Sequence, residues 1–105
     1  MECILENIEA IFRKMKDRGW NIDSPHKWGF CFFSRSADPL KLIFKELEDH
    51  NYKLESLTKS NGDWRIEVSK AEILTPLKLH KRNIAFNELA DHFDCDYDGW
   101  DVEPV

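Results

Sequence analysis

Long apolar runs, paired cysteines and one-signed charge are all missing from this chain, and each absence removes a class of function. No stretch of its 105 residues approaches the about 20 apolar residues that cross a bilayer. Residues 1–19 mix apolar positions with Glu2, Glu6, Glu9, Arg13, Lys14 and Lys16, unlike a signal peptide with its continuous apolar core. Three cysteines, Cys3, Cys31 and Cys95, stand far apart with no Cys-x-x-Cys pair, which predicts free thiols in a reducing compartment. The expected address is the cytoplasm. Also missing are a Gly-x-Ser-x-Gly elbow, a His-Glu-x-x-His helix and a glycine-rich phosphate loop, so the chain reads as a non-enzyme without a cofactor.

What charge there is lies unevenly. Residues 1–90 carry fifteen Lys and Arg against fourteen Asp and Glu, whereas residues 91–105 carry six acids and no Lys or Arg. Nucleic-acid binders gain most of their affinity by neutralising phosphates with a basic face, so direct nucleic-acid binding by the C-terminal end is not expected. An acidic end steers toward basic protein partners instead.

The length predicts one domain, 1–105, able to bury a core without disulfides or structural metal. Ile4, Leu5, Ile8, Ile11, Phe12 and Met15 recur at helical spacing, and Gly19 stands as a stop. They predict an N-terminal helix within residues 1–19, from Cys3 to Arg18, packed on the domain. The aromatic run Trp28–Phe33 suits a strand buried on both faces. Asp38 is placed to cap a helix whose first residue is Pro39, with Leu40, Ile43, Phe44 and Leu47 as its buried stripe.

Alternation then takes over. Tyr52 and Leu54 alternate with Lys53 and Glu55, and Trp64, Ile66 and Val68 with Arg65, Glu67 and Ser69, around an Asn61-Gly62 turn signal. The second of these strands runs on toward Leu74 with a bulge. Thr75-Pro76 opens a long helix with Phe86, Leu89, Ala90 and Phe93 on its apolar face, and a last strand is expected from about Cys95 to Val102. Strand, helix, strand, strand, helix, strand predicts an α+β, ferredoxin-like sandwich over residues 27–103: a four-stranded antiparallel sheet with helices on one face, plus the extra N-terminal helix.

The stretch DCDYDG, Asp94 to Gly99, imitates the first half of a calcium loop, with acids at alternate positions and then glycine. Position twelve of that loop, where a bidentate glutamate belongs, is Val105, so no metal site is expected. His92 and Cys95 are one loose pair where zinc wants four ligands. Cys31 reads as core, because a reactive thiolate needs an electropositive setting. Trp28, Phe30, Phe32 and Phe33 read as core in preference to a base-stacking platform, having no interleaved Lys or Arg. In the tail, Gly99 allows a bend, Trp100 covers the core edge, and the acids face solvent.

The closing YDGWDVEP, preceded by KRNIAFNELADHF, resembles the ending of the ribonuclease E inhibitor family, of the regulator of ribonuclease E activity B type. Tyr97-Asp98-Gly99-Trp100 is the most specific element, and the segments FFSRSADPLKLIFKELEDHNYKLES and NGDWRIEVSKAEILTP fit the same layout. The resemblance covers residues 28–103 and leaves the N-terminal helix outside. It implies a ferredoxin-like fold and a bacterial cytoplasmic protein that binds ribonuclease E, or another basic nuclease, and reduces RNA cleavage by protein contact. With the charge count, it makes Asp96, Tyr97, Asp98, Trp100, Asp101 and Glu103 the expected partner-binding residues, with Gly99 and Trp100 as structural elements. An immunity-type inhibitor of a nuclease toxin, and an RNA or small-ligand binding module, are the alternatives.

Overall fold

The computed structural model describes residues 2–104, in the order α1 (Leu5–Asp17), β1 (His26–Ser34), α2 (Ala37–Glu48), β2 (Lys53–Ser60), β3 (Asp63–Glu72), α3 (Pro76–His92) and β4 (Asp96–Pro104). The four strands form one antiparallel sheet in the order β2-β3-β1-β4, as a ferredoxin-like chain requires, with α1 added before it.

One face of the sheet is packed. Trp28, Phe30 and Phe32 of β1, Ile66 and Val68 of β3 and Tyr97 of β4 are buried there against Leu40, Ile43 and Leu47 of α2 and Leu79, Phe86 and Ala90 of α3. Phe86 is the hub, its ring meeting Phe30, Phe32, Tyr52 and Tyr97 at 5.0–5.8 Å between centroids. α1 packs on the domain as expected. Ile8, Phe12 and Met15 are its buried stripe, and Phe12 stacks on Trp28 at 5.7 Å.

Several punctuation marks act as their chemistry demands. After α1, Gly19 has φ +89, its amide donates to Lys16 and that of Trp20 to Met15, closing the helix in a Schellman motif. Asn61 and Gly62 both have positive φ between β2 and β3, the geometry of a two-residue type I′ hairpin. Thr75 caps α3, its Oγ1 accepting from the Lys78 amide at 3.2 Å.

Three expectations need correction. The cap position of α2 belongs to Ser36, whose extended backbone precedes Ala37, and its hydroxyl makes no capping bond. Asp38 falls in the first turn, where its charge still favours the helix dipole, and Pro39 lies where an amide hydrogen would have no helical acceptor. β1 is not buried on both faces: its even-numbered residues are buried, while Lys27, Gly29, Cys31 and Phe33 are half-exposed. No described helix crosses that second face. The bulge expected in β3 occurs instead in its partner β2, between Leu54 and Ser56, and Leu54, at the sheet edge, stays exposed.

Candidate functional site

The uncovered face of the sheet carries the charged residues. In antiparallel pairing, residues opposite each other share a face. Lys27 therefore lies with Ala71 and Glu103, Gly29 with Ser69 and Asp101, Cys31 with Glu67 and Gly99, and Phe33 with Arg65 and Asp96. A groove of about 300 Å³ runs across this face, and among its lining residues are two cations, Lys27 and Arg65, and five acids, Glu55, Glu67, Asp98, Asp101 and Glu103. Its net charge is −3.

Two bulges build the groove. In β4 the register slips so that Asp98 and Gly99 together oppose Cys31, with Gly99 at φ +111, a conformation that glycine adopts freely. The slip has a consequence for the whole tail. Asp96, Asp98, Asp101 and Glu103 are not evenly spaced, yet the extra residue brings all four to the open side and keeps Tyr97, Trp100 and Val102 on the packed side. In β2 the slip falls at Glu55, which is thereby free to reach across the sheet. Its Oε1 accepts from the Ser69 hydroxyl at 2.6 Å and pairs with Lys27 Nζ at 3.0 Å.

Each cation is already engaged. Lys27 is shared between Glu55 and Glu103, the latter at 3.2 Å. Arg65 donates through Nη2 to Asp98 at 2.7 Å and through Nη1 to Cys31 Sγ at 2.9 Å. The hydrogen bond from Ser69, then that from Lys27, holds the Glu55 carboxyl below its usual range, and the bond to Asp98 lifts the Arg65 guanidinium. Asp101 and Glu67 complete the groove with no ion pair to another described residue. A side chain at position 29 would run into the Asp101 carboxylate, so Gly29 leaves room for Asp101 to lie across the strand.

The remaining expected residues fall behind the sheet. Tyr97 is 3% exposed and its hydroxyl donates to Asn83 Oδ1 at 2.6 Å, so its ring is beyond the reach of anything that docks on the folded open face. Trp100 is half-buried and meets Trp28 at 5.8 Å. These rings fix the strand. Trp28, Phe30 and Phe32 likewise point into the core, which leaves Phe33 as the aromatic of that run on the open face.

DCDYDG is now accounted for residue by residue. Asp94, at φ +56, closes α3: its amide donates to Asp91, and that of Cys95 donates to Ala90. Asp96 starts β4 and Asp98-Gly99 form its bulge, so the acids are strung along a strand instead of wrapping a point. Among the described residues no group of three or more His, Cys, Asp or Glu side chains is arranged to hold a metal ion. Cys31, expected in the core, instead lies half-exposed on the open face beside Arg65; burial pushes its thiol up to about 11, although Arg65 pulls the other way.

Reasoning from sequence missed Glu55, Glu67, Lys27 and Arg65. The signal was present in the alternation of β3, where Arg65 and Glu67 fall on the unburied side, but the crossing of Glu55 depends on a bulge that alternation does not reveal.

The family model for regulator of ribonuclease activity B matches residues 5–102. The chain belongs to that family. The match takes in α1, which the tail-based resemblance left outside, and it reaches through Trp100 and Asp101. No curated protein matches the chain. The family name implies a non-catalytic regulator of ribonuclease E activity that works through a protein partner. No described helix is long and apolar enough to cross a membrane.

Proposed function

We propose that this protein lowers ribonuclease E activity in the cytoplasm by docking, through the open face of its sheet, onto a basic segment of the enzyme. The observation that carries the reading is the family match over residues 5–102. The placement of Asp96, Asp98, Asp101 and Glu103 on one uncovered face supports the choice of surface. Carboxylates on a sheet can accept paired hydrogen bonds from arginine, and their field raises the encounter rate with a cationic segment. Ribonuclease E, as the resemblance implies, carries an arginine-rich and largely disordered scaffold region of that kind.

In this reading Asp101 and Glu67 take the partner's first guanidinium, while Asp98 and Glu103 exchange their internal partners Arg65 and Lys27 for external ones. The exchange keeps the exposed pairs inexpensive to open, since such pairs contribute about 0–1 kcal/mol each. Tyr97 and Trp100 act from behind by holding the strand in register.

The test is an RNA cleavage assay with full-length ribonuclease E and with its isolated catalytic half. Inhibition of the full-length enzyme that is absent with the catalytic half is the expected result. Equal inhibition of both, or of neither, would overturn the scaffold-docking reading.

A further inference from the structure

The sheet has two outer strands, β2 and β4, and their free edges differ in kind. An outer strand aims alternate backbone N–H and C=O groups away from its neighbour, where another strand can take them up. β2 is defended against that. Its ladder is broken by the bulge at Glu55, whose carboxylate turns inward to Ser69 and Lys27, and the cations Lys53 and Lys59 stay exposed along it. β4 carries no cation, and among the described residues no backbone group outside β1 hydrogen-bonds to it. Its own bulge lies at Asp98-Gly99 and Pro104, which has no amide hydrogen, ends it, so residues 100–103 form an unbroken stretch of open edge.

The two sides of that stretch suit different neighbours. In front, Asp101 and Glu103 are exposed, and Asp98 stands just beyond them at the bulge. Behind, Trp100 and Val102 are half-buried, and Ile4 and Ile11, 39% and 40% exposed, border the same depression as Trp100. Side chains opposite one another on adjacent strands sit about 5 Å apart, so a segment laid along β4 meets acids with one set of alternate residues and apolar groups with the other. A second copy of the chain does not suit this edge. Paired through it, two copies would set carboxylate against carboxylate across the join.

We propose that residues 100–103 accept an extended segment as a fifth strand, one in which Arg or Lys alternates with an apolar residue. The cations face forward onto Asp98, Asp101 and Glu103, the apolar residues cover Trp100 and Val102, and the backbone of the segment takes up the groups that the edge leaves open. Strand addition rests on the function proposed above and gives the docking a geometry: the basic segment of the ribonuclease becomes ordered as a strand when it binds. The segment must then be alternating as well as basic.

The experiment titrates the isotope-labelled full chain with three capped peptides and follows the backbone amides of β4 by nuclear magnetic resonance. One is Arg-Val-Arg-Val-Arg-Val-Arg. The second has the same composition in two blocks, and the third is the first N-methylated on two adjacent central amides, so that neither of its edges can pair. With the alternating peptide, alternate amides of residues 100–103 are expected to shift downfield and exchange more slowly, while those bonded to β1 stay unchanged. The block and N-methylated peptides, equal in charge, are expected to bind about tenfold more weakly. Equal affinity of the three, binding that leaves the outer amides of β4 unmoved, or no binding of the alternating peptide would overturn strand addition. The scaffold half of ribonuclease E, titrated in the same way, is expected to move the same amides. If it binds and leaves them unmoved, the strand geometry is overturned and the docking stands; if it fails to bind where the alternating peptide binds, the docking is overturned and the edge remains a strand acceptor.

Discussion

The two faces of the sheet are made of alternate residues of the same four strands, and they follow opposite rules. Behind, Phe30, Phe32, Tyr97 and Phe86 interlock around a core whose polar atoms are mostly paired. In front, Lys27, Arg65 and the surrounding carboxylates hold one another in exposed pairs that solvent screens. The packed face makes the fold. The pairs of the open face contribute little to stability, and the difference can be measured residue by residue.

The sharpest contrast comes from the hub. Phe86→Ala removes a ring that touches four others, and a loss of about 3–5 kcal/mol is expected from urea unfolding. Second in size is Arg82, which reaches from α3 to Glu72 at 2.9 and 3.0 Å and donates to the Tyr52 hydroxyl. The two charged side chains retain 22% and 17% exposure, so Arg82→Met is expected to cost about 2 kcal/mol, below the range for breaking a fully buried pair. The same denaturation series measures it.

Alkaline pH probes both faces at once. Burial pushes the Cys31 thiol up to about 11 and the Tyr52 hydroxyl up to about 12, and it raises that of Tyr97 as well. Each group therefore binds its proton more tightly folded than unfolded, where the ordinary values are 9.0 and 10.0. The stabilisation is complete below those ordinary values and is lost as pH rises through the folded ones. Tyrosinate absorbance and circular dichroism, recorded together, are expected to change in one transition. Tyrosine ionisation well before unfolding would contradict the burial assigned to these rings.

The smallest stability effect is expected at the front. Asp98→Asn breaks an exposed pair with Arg65 and is expected to change stability by less than about 1 kcal/mol in urea unfolding. Its consequence should appear in partner binding, which is the asymmetry that separates the two faces.

Much of the packed face was legible. Trp64, Ile66 and Val68 announced β3 by alternation, Asn61-Gly62 announced the hairpin, and Thr75-Pro76 announced α3, because each acts through local backbone chemistry. The Asp38 cap failed because Ser36, two residues earlier, adopts the extended backbone that a cap position needs. The open face was harder to read. An aromatic run such as Trp28–Phe33 looks buried throughout, since composition does not show that no described helix covers its odd-numbered side. The acids of the tail looked irregular for the same kind of reason: only a bulge at Asp98-Gly99 turns their spacing into a common face, and a bulge is decided by the partner strand.

The account turns on whether that face binds. Its most direct test is calorimetric titration of the intact protein into the scaffold half of ribonuclease E at low and moderate salt, alongside a variant carrying Asp96→Asn, Asp98→Asn and Asp101→Asn. The predicted result is binding that weakens with salt and is lost in a variant as stable as the parent. Equal affinity of parent and variant, or binding indifferent to salt, would contradict it.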